Sequence, residues 1–403
     1  MLNKITYLLL NLAIFIPFIM HSEQLAFPGA EGFGAYSQGG KNGIIIPVTT
    51  LEDTKNQGGL RWAIAQIGPR IIKFEIGGVI ELTNDLIIEE PFLTIDGSTA
   101  PGIGITLKDG SLKINTTHDI IIRYIRVRPG DDVALGKVPK RKRKQLPSDA
   151  ITVLSSQNVI IDHCSTSWSS DEVLSVVGDS HNVTVQNCFI TEPLSNPELH
   201  IEKRKQISHP YGSLMQGTNI SYIKNLFAYY RMRGPQTSCL GNKEIVNNFC
   251  TFYEDSGTRI SLDNIVASFH IINCFYSNRL KNNAPEIELY SNDEETPKKL
   301  NRVGIYLSGN LGSLRADPSQ DNWLGLKYDF NQKIIEKTRS KVPLFESNVV
   351  IWPTEQVMDH VLNGSGATLP ARDYIDERII NQIINKTGSI VFGQEDVGGY
   401  DWR

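Results

Sequence analysis

Asp149 and the pair Asp171-Glu172 are carboxylates about 23 residues apart, and short segments of the same chain recur at that interval. If the interval is one turn of a stacked structure, these acidic positions lie about 5 Å apart, the spacing of neighbouring strands. Like charges that close repel unless a cation lies between them, and an oxygen-only donor set suits Ca²⁺. The plainer reading is a pair of solvent-facing turn residues. Arg231 and Arg233 follow one inserted turn later. An arginine there can grip a carboxylate through two parallel N–H donors, or serve only as an ion-pair partner. His209, in His209-Pro-Tyr-Gly, ends a long loop and is a candidate substrate contact. His163 is an alternative base, but it falls in a repeated column where a structural role is expected.

The elements that position these residues show in the repeat. HDIIIRYIRV, QNVIIDHCST, HNVTVQNCFI, NISYIKNLFA, KEIVNNFCTF and SFHIINCFYS align with Tyr124, His163, Asn187, Asn225, Asn248 and Asn273 in one column. The intervals are 39, 24, 38, 23 and 25 residues. The next column holds Ile125, Cys164, Cys188, Leu226, Phe249 and Cys274. Segments rich in Ile and Val, alternating with period two, are strands. A period of 23–25 is one coil of three short strands, and stacked coils bury a continuous interior. The expected fold is all-β, a right-handed parallel β-helix. The Asn column is then a bend stack and the Ile/Cys/Leu/Phe column an inward stack. A doubly wound α/β sheet is the alternative, but almost no helical pattern separates the strands.

The two long intervals place insertions at Arg128–Ser148 and Thr191–Gly217, after the same strand of their coils. Both therefore project from one side, where solenoids build binding faces. Lys137 and Lys140 to Lys144 lie in the first insertion and Lys203, Arg204 and Lys205 in the second. In a chain of net charge −4, such clusters are either solvated loop tips or a cleft for a polyanion. That net charge argues against a general nucleic-acid binder. Leu60–Gln66 reads as a capping helix. Ile375, Ile379, Ile380, Ile383 and Ile384, after Asp373 as N-cap, read as a helix packed outside the coils.

The chain has 403 residues, 40% hydrophobic and 21% charged, which is globular composition. Its 16-residue apolar run Ile5–Met20, followed by a polar stretch, reads as a signal peptide over residues 1–22. Residues 23–403 are then one secreted domain, extracellular or periplasmic, with no membrane attachment after cleavage, expected as a monomer. Five cysteines exclude a disulfide scaffold. Cys164 and Cys188 fall next to each other in the inward column and are expected as free thiols.

Taken together, these residues resemble the pectate lyases of polysaccharide lyase family 1. The resemblance rests on Ala26–Gly34 (AFPGAEGFG), Gly58–Leu82, Ser98–Leu107, Ile121–Asp131, Asp149–Val153, Ile160–Val176, Asn182–Asn187, Asn225–Pro235 and a C-terminal EDVGGY. It implies Ca²⁺-dependent β-elimination on polygalacturonate, an acidic polysaccharide, giving 4,5-unsaturated oligogalacturonides. The family's calcium carboxylates fall on Asp149 and Asp171, and its third ligand position on Ser175, whose hydroxyl is a weaker donor. The catalytic arginine falls on Arg233. The motif's closing, substrate-binding arginine falls on Ser238, and the Arg-Asn-Pro-Arg variant is lost at Gln236. Arg231, His209 and Lys205 are the candidate replacements for that contact. Rival readings are a non-catalytic β-helix that binds acidic polysaccharide and a lyase for another uronate polymer. A calcium-independent lyase on methyl-esterified pectin should lack the Asp149/Asp171 pair. A hydrolase needs a glycosidase carboxylate pair, and no such cluster stands out.

Overall fold

The computed structural model describes residues 24–138, 148–202, 205–237, 240–263, 266–278, 280, 283–291, 302–328 and 332–400. The signal-peptide run, the basic residues Lys140 to Lys144 and Lys203 to Arg204, and Ser238 lie outside the described residues.

One coil shows the plan. His118–Arg123 belongs to a first sheet, Ile125–Arg128 to a second and Ile151–Leu154 to a third, and Gln157–Asp162 re-enters the first. Among the described residues, repetition gives one eleven-stranded and two nine-stranded sheets. Neighbouring coils pair in parallel, as in His118–Arg123 on Gln157–Asp162 on His181–Gln186. The register stacks Ile122, Ile161, Val185, Tyr222, Ile245 and Ile271 in one interior row, all buried. β-branched side chains suit that row because they pack well on a pleated surface. This is the right-handed parallel β-helix that the repeat predicts.

The corner between the first and second sheets corrects the column assignment. The residues in left-handed conformation are Tyr124, His163, Asn187, Lys224, Asn247 and Asn273, with φ of 48–59°. Asn225 and Asn248 stand one residue later, in the inward row with Cys164, Cys188 and Cys274, and Leu226 and Phe249 face outward. The two columns were merged because Asn serves both purposes. It tolerates the left-handed bend, and its amide can satisfy buried backbone. Asn225 Oδ1 accepts from Cys188 N at 2.8 Å. Asn248 Oδ1 accepts from Asn225 N and Nδ2 at 2.9 and 3.0 Å. A second, half-exposed ladder links Asn158, Asn182, Asn219 and Asn242 amides at 3.2–3.3 Å. Cys164, Cys188, Cys250 and Cys274 are buried free thiols.

Both insertions leave the helix between the second and third sheets. The helix Leu60–Ile64 buries Leu60, Ala63 and Ile64 against the first coils. Tyr374–Ile384 is capped by Asp373, whose side chain accepts from Asp376 N at 3.0 Å. With Thr354–Gly364, a helix that the sequence reading did not foresee, it covers Phe189, Leu226 and Phe249 on the second sheet. The segment AFPGAEGFG lies across the first sheet. Gly34 is required there, since a Cβ would sit 2.3 Å from Val159 O. Among the described residues, no helix is long and apolar enough to cross a membrane.

Replacing Asn248 by Ala orphans two donors of Asn225, each worth about 1–3 kcal/mol when buried without a partner. Asn182→Gly keeps its left-handed backbone and opens two amide hydrogen bonds, both half-exposed. Thermal unfolding should show a fall of several degrees for Asn248→Ala and a much smaller one for Asn182→Gly. Equal shifts would contradict the inward placement.

Candidate metal and proton-transfer site

The turns from second to third sheet carry the chemistry. Ile151 pairs with Leu174, so the register carried back two residues sets Asp149 beside Glu172 rather than Asp171. Glu172 in turn bridges to Tyr211, and Tyr211 to Met232. Carboxylate oxygens of Asp149, Asp171 and Glu172 lie within 4.8 Å of one another. Asp149 and Glu172 are only 8% and 4% exposed. The third carboxylate of the cluster is Glu172. Ser175 lies three residues further on, inside the strand Leu174–Val177, with its Oγ accepting from Leu214 N at 3.2 Å and bonding to Asp149.

Burial, and then the charges of Glu172 and Asp171, push the Asp149 carboxyl well above the ordinary carboxylate range, against hydrogen bonds from Ser175 and Thr152. Burial also acts to raise Asp171, but pairing with His209 outweighs it and holds Asp171 below its usual value. His209 Nε2 is 3.1 Å from Asp171 Oδ1 and 3.5 Å from Glu172 Oε1. Burial would lower the His209 pKa, but those two carboxylates raise it. Three crowded acids, one of them disfavoured as an anion, are the donor set that a hard divalent cation fits.

Arg233 Nη1 pairs with Glu172 Oε1, and its guanidinium lies 4.3 Å from the Tyr211 ring centroid. Its φ is 74°, a conformation held only where the surroundings over-determine it. Gly212 passes beneath it: a Cβ there would meet Arg233 O at 2.3 Å, which explains the glycine of His209-Pro-Tyr-Gly. Arg231 and Arg233 diverge rather than share a face. Arg231 Nε turns to Asp255 Oδ2 at 2.7 Å. Lys205 sits exposed in the two-stranded hairpin Ile201–Glu202/Lys205–Gln206. His163 stacks on Tyr124 at 5.0 Å with Nδ1 2.8 Å from Asp162 in the first corner, a structural role.

Three contributors escaped the sequence reading. His200 stacks on His209 with centroids 4.1 Å apart. Tyr211 follows His209 by two residues and backs Arg233. Arg259 pairs in register with Gln236, donates to its Oε1 at 3.0 Å and lies 4.0 Å from the Tyr290 ring centroid. Only the coil register exposes Arg259, because it comes one repeat after the motif.

No protein-family model matches the chain. A probable pectate lyase C of Emericella nidulans is 31% identical over 390 residues, 93% of this chain and 80% of that protein. One from Aspergillus oryzae is 30% identical over 387 residues, 94% of this chain and 82% of that protein. Among solved structures, the cedar pollen major allergen jun a 1 superposes with TM-score 0.57 at 17% identity, covering 84% of this chain and 92% of that one. A Bacillus sp. N165 pectate lyase in complex with trigalacturonate gives TM-score 0.53 at 15% identity, covering 84% of this chain and 98% of that one.

The raised Asp149 pKa fixes the sign of a pH effect. A group raised in the folded state contributes stability below its unfolded value of 3.8 and loses it as pH rises through the folded value. In chelator at neutral pH, Asp149→Asn should therefore melt higher than the unmodified protein. The gap should close under mildly acid conditions. A lower melting point at neutral pH would show that Asp149 is not under charge strain.

Proposed function

The chain belongs to the pectate lyases, and from that premise we propose that it cleaves polygalacturonate by calcium-assisted β-elimination. The observation that carries this reading is the junction of three crowded carboxylates with one guanidinium, Arg233 beside Glu172. Asp149, Asp171 and Glu172 would hold the ion. Bound Ca²⁺ neutralises the substrate carboxylate and so acidifies the C5 hydrogen next to it.

Arg233, having first given a proton to solvent, takes the C5 proton; the C4–oxygen bond breaks and the leaving oxygen takes a proton from water, the hydroxide left being neutralised by the proton released at the start. The product carries a 4,5 double bond. Arg233 is tied to Glu172, and an ion held by Glu172 would weaken that pair and free the side chain for substrate. Burial of the surrounding acids strengthens each of these electrostatic effects. Arg259, beside Gln236 and over Tyr290, supplies the cation that the motif lacks at 236. It would take a neighbouring uronate carboxylate in exchange for Glu288, whose Oε2 accepts from its Nε at 2.8 Å. The apolar run before Ser22 supports export with cleavage near residue 22, leaving a single secreted domain.

Activity is read as ultraviolet absorbance of the unsaturated product on polygalacturonate, with calcium and with chelator. Arg233→Lys should lower kcat by about 10²–10⁴-fold, the range of a general base, with little change in KM. Arg259→Ala should act mainly through KM, because it removes binding rather than chemistry. A polygalacturonate-binding protein with no absorbance change in calcium would instead be a β-helix that has kept its cleft and lost its reaction.

A further inference from the structure

The outer face of the first sheet carries a groove that the reaction does not use. The N-terminal strap AFPGAEGFG and the residues after it lie along one row of that face. Gly40 N donates to Thr94 Oγ1 at 3.0 Å, Gly34 N to Thr184 Oγ1 at 2.8 Å and Phe33 N to Ser221 Oγ at 2.8 Å. Between those bonds Ala35 packs with Ile121 and Ile160. Thr94, Ile121, Ile160, Thr184 and Ser221 are partners in register from one coil to the next, so the strap crosses the coils along the stacking direction. Two residues before the last three of these stand Asn158, Asn182 and Asn219, the half-exposed amide ladder. Strap and ladder therefore run side by side. Gln38 N, donating to Asp119 Oδ1 at 2.9 Å, ties the strap to the row that the ladder continues. A cleft of about 1680 Å³ is lined by Tyr36 and Gln38 of the strap and by Asn158 and Asn182 of the ladder.

A side-chain amide has two N–H donors and two oxygen lone pairs. Asn182 uses one donor on Asn158 and one lone pair on Asn219. One donor and one acceptor are left on it, and the pattern repeats at the strand spacing of about 4.8 Å. That repeat is close to the advance per ring of an extended β-1,4-linked sugar chain, whose hydroxyls each donate and accept. Tyr36 is 41% exposed, on the strap between the buried Ala35 and Ser37. A ring anchored on both sides presents an apolar face to the C–H side of a pyranose and a hydroxyl to its rim. Charge is close to balanced, with Lys41, Lys73 and Arg123 in the lining against four acids. Such a lining has no strong field for a polyanion, whereas amides and a phenol suit a neutral chain.

We propose that this groove binds an extended, neutral β-1,4-linked polysaccharide, with the sugar hydroxyls on the ladder of Asn158, Asn182 and Asn219 and one ring on Tyr36. The groove shares no residue with the acid cluster or with Arg233, and Asn158 comes nine residues along the coil from Asp149. The chain would thus hold a neutral glycan on one face while its acids meet an acidic one. The proposal does not rest on the lyase reading.

The test is calorimetric titration of the full chain with cellohexaose and with xylohexaose, both in chelator. At least one of the two should bind, at a single site. Tyr36→Ala should weaken it at least about tenfold, and so should the double variant Asn158→Gly with Asn182→Gly, a loss that one or two hydrogen bonds account for. Glycine keeps the left-handed backbone at both positions, where φ is 53° and 54°. Arg233→Lys should bind the hexasaccharide as the unmodified chain does, and the groove variants should match the unmodified chain on polygalacturonate in calcium. Thermal melting checks that each variant folds. Tyr36→Ala, at an exposed position, keeps the test decisive if the glycine pair destabilises the coils. The proposal is overturned if neither hexasaccharide binds, or if the variants bind as the parent does. It is equally overturned if trigalacturonate binds in chelator and is lost with the same variants, since the groove would then take an acidic chain. Hexasaccharide binding with no absorbance change on polygalacturonate would leave the groove standing and remove the lyase reading.

Discussion

Parallel backbone pairing between coils is the constraint from which the rest follows. Each interior strand must satisfy its N–H and C=O groups on two neighbours, so a residue's partner one coil on is fixed to within one strand spacing. That register turns a sequence interval into a distance. It stacks Ile122 through Ile271 in the interior. The same register brings Asp149 against Glu172 at the corner where the insertions leave. A one-residue slip would face every second side chain the wrong way, and the site would scatter with it.

The insertions are held at their roots rather than along their length. Arg128, the last strand residue before the first insertion, pairs with Asp373 and Asp376 on the C-terminal helix. Glu192, the first residue of the second, receives two bonds from Arg378 of that helix, both at 2.7 Å. The C-terminal EDVGGY adds Tyr400 Oη donating to Arg128 O at 2.6 Å, and the preceding Gln394 accepts from Asp131 N at 2.7 Å. These ion pairs are buried, and removing one partner of a buried pair leaves an uncompensated charge worth about 3–5 kcal/mol. The helix on the second sheet therefore sets where both loops begin, and through them where Asp149, His200 and His209 arrive.

What the sequence made legible was whatever depends on period. The coil, the shared side of the insertions, the capped C-terminal helix and the proximity of Asp149 to Asp171-Glu172 all follow from intervals and side-chain alternation. What depends on a single residue of phase was lost. Asn225 and Asn248 were read as bends because Asn suits both a left-handed corner and a buried amide ladder, and Lys224 in the bend gave no warning. The interval did point to Glu172 beside Asp171, while the family resemblance directed the third ligand position to Ser175. Residues that meet through a hairpin or across coils, His200 with His209 and Gln236 with Arg259, carry no interval that links them to the motif.

A solenoid is also the setting in which so unfavourable a cluster can persist. Its stability is close to a sum over coils and their interfaces, so repulsion among Asp149, Asp171 and Glu172 burdens the turns it occupies and leaves distant coils untouched. Relief comes from any positive charge that reaches the acids, whether the guanidinium of Arg233, the imidazolium of His209 or a divalent ion. These contend for the same oxygens, and whichever holds them decides what the others are free to do. In the reading proposed above, Arg233 on Glu172 is a restrained base, and a cation on the acids would release it toward substrate. The crowding of the carboxylates would thereby couple ion binding to the readiness of the proton acceptor.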